Sequence, residues 1–152
     1  MKESQKIYLA LLYFSLSTGI TWWFVDVCPL YSSLSQKILS TGIAGAKWSL
    51  QIAAAYFLLG NKKWDFIKNI GITCLVGSLI LLPYAIAATF SSANGAAFFT
   101  TSLLIAVAVM IFLYFLSVKK LGLPKKWFWI WIFCLAIAIT LQLTLVFSVI
   151  KF

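Results

Sequence analysis

The sequence predicts an all-α polytopic integral membrane protein, with five transmembrane helices, a cytoplasmic N-terminus and the C-terminus outside. Three observations predict it. Of 152 residues, 63% are hydrophobic and 10% charged, against about 25% charge in soluble domains. The apolar residues gather in five runs, each long enough to span about 30 Å of hydrocarbon as a helix. The lysines cluster between those runs and favour one side. The chain reads as a single domain, 1–152.

The first span is expected over about 7–25. It follows the short basic start MKESQK and ends near Trp22, Trp23 and Asp26. A signal peptide begins similarly, but this run is long and no A-x-A-like site follows, so the span is read as uncleaved. The paired tryptophans suit an interface, where an indole keeps one edge wet. Pro29 opens a connector in which Leu30, Leu34 and Ile38 recur at helical spacing, consistent with a short interfacial helix.

The second span, about 38–59, stops at Gly60 and Asn61. A basic loop, NKKWDFIK over 61–68, leads into the third, about 66–88, where Pro83 removes a backbone bond and predicts a kink. Turn residues SSANG precede the fourth, about 97–118. KKLGLPKK separates it from the fifth, about 127–150, which opens with Trp127, Trp129 and Trp131 as an aromatic belt.

Orientation follows from the lysines. With the N-terminus inside, the inner segments hold Lys2, Lys6, Lys62, Lys63, Lys68, Lys119, Lys120, Lys125 and Lys126, while the outer ones hold Lys37 and Lys151. Nine against two is the positive-inside pattern of a multi-pass cell (inner) membrane protein. The net charge of +9 therefore reports topology. Nucleic acid is not expected as a partner, because a phosphate- or base-reading site would use arginine and the chain has none.

Histidine is also absent. That removes Ser–His and Cys–His catalysis and histidine-held haem or metal. Cys28, Cys74 and Cys134 are too dispersed for a metal site or disulfide framework. Cys28, expected at the outer surface beside Pro29, is a redox candidate with nothing nearby to activate it, and Cys74 and Cys134 read as small buried hydrophobes. No cofactor, metal site or catalytic residue is assigned.

The candidate site is in the second span. Lys47 lies near its middle, where an ammonium costs about 2.5–3.5 kcal/mol on insertion scales. Ser40, Lys47, Gln51 and Ala54 share one helix face, and Gly42, Ala46, Ser49 and Ala53 form a small-residue stripe on another. This combination predicts a central helix. Helix five adds Ala136, Thr140, Thr144 and Ser148 at four-residue spacing. Those hydroxyls either return hydrogen bonds to their own helix or line a crevice with Lys47 and Gln51. Asp26 is the best acid for Lys47, although a lysine about 13 Å below the outer end reaches it only if the helices are offset.

Three function classes remain. The first is a small non-enzymatic protein that binds or transports a solute or ion through a polar crevice around Lys47, using Gln51, Ser40, Asp26, Thr140 and Thr144. The second is an accessory subunit of a larger membrane complex; in both, the partners are the lipid bilayer and either further copies or other membrane subunits. The third is a membrane enzyme acting on a lipid, quinone or thiol, for which the chain holds few acid–base groups.

Overall fold

The computed structural model describes residues 1–28, 31, 33–91 and 96–149, and of 91, 96, 97 and 146–149 the backbone only. Five helices run Glu3–Val27 (α1), Leu34–Leu58 (α2), Lys63–Ser91 (α3), Ala96–Lys120 (α4) and Lys125–Val149 (α5). Most extend about a turn beyond the apolar runs, because backbone hydrogen bonding continues into the polar flanks.

Two of the expected connectors are helical in part: 34–37 belongs to α2 and 63–68 to α3. α2 starts at Leu34 because Ser33 caps it: the Ser33 hydroxyl accepts from Gln36 N at 3.3 Å and Gln36 Oε1 accepts from Ser33 N at 3.2 Å. This reciprocal box satisfies two donors that a helix start otherwise leaves orphaned. The segment 61–68 is not a loop. Gly60, at φ +50°, makes a single 3₁₀ turn over Gly60–Lys62, and α3 begins at Lys63 with Asp65 in its first turn, where a carboxylate suits the helix dipole. α3 is one helix through Pro83.

α4 ends as the KKLGLPKK turn predicts. Gly122, at φ +60°, donates to Lys119 O and Leu123 N donates to Val118 O, the paired bonds of a Schellman cap.

The helices close into a ring in the order α1, α3, α4, α5, α2, with α2 and α3 also touching across it. α3 packs on α1, α2 and α4, and α2 packs on α1, α3 and α5; the α1–α3 seam is the most extensive contact, and α2, expected at the centre, is one wall of the ring. Its stripe of Gly42, Ala46, Ser49 and Ala53 faces outward and is exposed. Small residues serve the α1–α3 seam instead. A Cβ on Gly71 would lie 3.2 Å from Tyr13 Cβ, so the two helices approach closely only because glycine stands there.

Among the described residues, four helices are long and apolar enough to cross a membrane: Glu3–Val27, Gly60–Phe90, Phe98–Lys120 and Lys125–Leu145. The five spans expected from sequence reduce to four on this measure, and α2 is the exception. Ser35, Gln36, Lys37, Ser40, Thr41, Lys47, Ser49 and Gln51 offset its apolar residues. Large apolar side chains cover the outside of the bundle, among them Leu11, Leu104, Phe112, Phe133 and Leu141, where a protein surrounded by water would place polar ones.

The two ends differ. At one, Lys6 pairs with Asp65 at 2.6 Å and Lys62 donates to Leu121 O at 2.7 Å. That end gathers the nine lysines of the inner segments. Behind them is a core of Phe66, Ile70, Tyr114 and Trp131, with Phe66 and Trp131 stacked at 4.9 Å. Trp131 is fully buried and Trp127 nearly so, leaving Trp129 exposed. The expected belt is thus one outward tryptophan and two that build the core, since residues four apart share a helix face. The opposite end packs Phe24, Cys28, Tyr31, Tyr84 and Ala85. Cys28, expected at the surface, is buried there.

Candidate functional site

Hydroxyls at four-residue spacing on α1 (Ser17, Thr21) face a matching pair on α3 (Cys74, Ser78). The Ser17 hydroxyl lies 2.8 Å from Cys74 Sγ and 2.7 Å from Ser78 Oγ, and Thr21 Oγ1 lies 3.2 Å from Ser78 Oγ. Ser78 also donates to Cys74 O. Every member of this cluster has a partner, which removes the cost of burying it.

Next to this cluster all five helices border one cavity of about 160 Å³. Lys47 lines it. So do Thr21 from α1, Ser40 and Trp48 from α2, Cys74 and Ser78 from α3, Met110 from α4 and Gln142 from α5, with Tyr31 of the connector. Apolar side chains make up most of the rest, including Phe24, Leu81, Phe99, Leu103 and Ile139. A second cavity, of about 240 Å³, lies between α1 and α2 and shares Thr21, Ala44, Trp48 and Cys74 with the first. Trp48 and Cys74 thus form a common wall.

The Lys47 Nζ sits 3.9 Å from the centroid of the Trp48 ring. Among the described residues it has no carboxylate and no hydrogen-bond acceptor. A cation on an indole face gains about 0.5–2 kcal/mol, while dehydrating an ammonium costs several. The ring offsets only part of that deficit. The amine is therefore the one lining group of the cavity whose charge is uncompensated.

Asp26 does not supply the missing charge. Its carboxylate takes Lys37 Nζ at 2.7 Å, and Lys37 also donates to Asp26 O at 3.1 Å. The pair is at the exposed mouth of the α1–α2 connector, where Lys37 is the nearer cation.

Ser40 is buried, and its hydroxyl donates to Gln142 Oε1 at 2.8 Å while Gln142 Nε2 donates to Ser40 O at 2.6 Å. Tyr31 donates its phenol proton to the same Gln142 oxygen at 3.2 Å. Burial pushes the Tyr31 phenol up from its ordinary range, so it stays a neutral donor. This network fastens Tyr31 and α2 to α5 and forms part of the cavity wall.

Gln51 is fully buried but does not border the cavity. Its Oε1 accepts from Tyr114 at 3.2 Å, while its Nε2 has no partner among the described residues. Thr140 and Thr144 lie on an exposed face and bond back to Ala136 O and Thr140 O at 2.9 and 2.8 Å. Of the two sequence alternatives for these hydroxyls, the structure shows the first; the Ser148 side chain is outside the described residues. The site thus brings together Lys47 and Ser40, and leaves out Gln51, Asp26, Thr140 and Thr144.

Gln142, Tyr31 and the Ser17–Thr21–Cys74–Ser78 cluster are its unanticipated members. Gln142 had a readable signal: it is the single carboxamide in the apolar run of α5. The hydroxyl pair on α1 and the thiol–hydroxyl pair on α3 also had one, in their shared spacing. Tyr31 had none, because only its tertiary contact with Gln142 of α5 places it there. The chain matches no protein-family model, no curated protein and no solved structure.

Proposed function

We propose that this is a small, non-enzymatic, multi-pass protein of the cell (inner) membrane that binds or transports a small solute or ion in the cavity at Lys47. The N-terminus and the lysine-rich end face the cytoplasm, in keeping with the positive-inside bias. One observation carries the reading: an uncompensated amine borders a cavity to which every helix contributes. An ionisable group held among apolar helices and facing a cavity marks a site for a solute or ion.

The experiment requires no knowledge of the solute. In a background with Cys28, Cys74 and Cys134 replaced, Lys47→Cys is expected to react with a water-soluble thiol reagent in intact membranes. Leu16→Cys, on the exposed apolar surface of α1, is expected not to react. A cysteine at 47 that no aqueous reagent reaches from either side overturns the reading.

A second reading has an observation of its own. The exposed stripe of Gly42, Ala46, Ser49 and Ala53 suits close approach of another membrane helix, from a second copy or an accessory-complex partner. Crosslinking through Ser49→Cys in membranes tests it, and a wholly monomeric, partner-free protein counts against it.

A further inference from the structure

We propose that the occupant of the Lys47 cavity is a small monoanion with an apolar body, of the size of benzoate or a six-carbon carboxylate. This rests on the solute-binding reading above and adds the class of ligand to it.

Size comes first. The cavity is about 160 Å³, and an engineered cavity of about 150 Å³ takes up benzene. One ring or a short chain fills the space; a phospholipid or a nucleotide is far too large.

Charge comes next. Lys47 is the one charged residue among the described residues that line the cavity, and no described carboxylate reaches it. A single negative charge compensates it. A dianion would bring one charge without a partner, and a neutral molecule would leave the ammonium as it is.

The walls then decide between kinds of monoanion. Ser40, Gln142 and Tyr31 satisfy one another on one part of the wall, and Thr21 and Ser78 satisfy each other on another. These groups ask for no further partner. What remains is the surface of Phe24, Leu81, Phe99, Leu103, Met110 and Ile139, which a chloride or nitrate ion would leave facing empty space. A molecule with its carboxylate on the amine and its hydrocarbon against these side chains satisfies both parts, the usual division of labour in a ligand pocket.

The test is equilibrium binding of radiolabelled benzoate to the purified protein in detergent. Hexanoate, acetate, phthalate, chloride and benzyl alcohol serve as competitors. Benzoate is expected to bind one per chain and to be displaced by hexanoate. Acetate, chloride, phthalate and benzyl alcohol are each expected to need at least 30-fold higher concentration. Lys47→Met should weaken benzoate binding at least 50-fold, and Lys47→Arg should stay within tenfold of the native protein. Ala106→Leu, which fills part of the cavity while leaving the charge, should weaken it at least tenfold.

Three results overturn the proposal. Chloride or phthalate competing as well as hexanoate assigns the site to a different anion. Benzyl alcohol competing equally, with benzoate binding unchanged in Lys47→Met, removes the anion requirement and leaves a cavity that binds neutral solutes. If none of these probes binds while the cysteine at 47 still reacts with aqueous reagent, the ligand class is wrong and the site remains. Loss of that reactivity as well ends both.

Discussion

Along the α1–α3 seam, Ser17, Thr21, Cys74 and Ser78 lie in reach of one another and all are bonded. The inward residues of α2 are of similar polarity but end differently. Among the described residues Lys47 has only an aromatic face, and Gln51 Nε2 and Thr41 Oγ1 have no partner. The seam uses its polar groups as fasteners, and they are consumed in holding two helices together. α2 carries Lys47 and Thr41 to cavity walls and Gln51 into the core beside Tyr114, and leaves a polar group unspent on each, which is how a binding element differs from a structural one.

The contrast can be broken most severely at Gly71. Gly71→Leu pushes a side chain into Tyr13 and the backbone of Ala10, so the seam must open. Destabilisation of about 3 kcal/mol is expected, the upper part of the range for overpacking, measured by denaturant unfolding in micelles. Little change would mean that α1 and α3 are held elsewhere.

Lys47→Met should act in the opposite direction. Removing an uncompensated ammonium from apolar surroundings is expected to stabilise the bundle by about 2 kcal/mol, somewhat under the insertion cost of lysine because the Trp48 face already offsets part. The same variant should lose benzoate binding. A destabilised Lys47→Met would mean that the amine has a structural partner.

Gln51 sharpens the comparison further. Gln51→Leu leaves the Tyr114 hydroxyl buried without its acceptor and is expected to cost about 1–2 kcal/mol. Adding Tyr114→Phe should restore near-native stability, since removing both partners together leaves nothing unsatisfied. A double variant no better than the single one would show that Gln51 holds α2 by packing alone.

The smallest effects separate seam hydroxyls from exposed ones. Ser17→Ala is expected to cost about 0.6–1 kcal/mol, the size of an interhelical polar contact in membranes. Thr140→Ala and Thr144→Ala should each stay within about 0.5 kcal/mol, because both hydroxyls only return to their own helix. Equal costs at the two places would erase the distinction.

The five helices were legible in the sequence, because apolar runs and glycine turns are local, but the starts at Glu3, Leu34 and Lys63 lie earlier than the apolar runs suggested. The start of α3 was misread because NKKW looks polar and loop-like, although Asp65 in that stretch is a helix-start residue. Lys47 was legible as the unusual residue, since its charge stands out in any apolar run. Its surroundings were not. Asp26 was favoured as its partner because it is the one acid on that side, yet Lys37, closer to it in the fold, takes it first.

By itself the sequence determined an all-helical chain, a lysine-rich end and one costly amine in an apolar stretch. These follow from hydrogen bonding and solvation along the chain, and no neighbour is needed to read them. Only the tertiary structure decided that the α1–α3 seam is the most extensive contact, that the small stripe of α2 faces outward, and that Gln142 and Tyr31 line the cavity. Those depend on which faces of separate helices meet, and with apolar residues all round, helical periodicity alone does not choose among them.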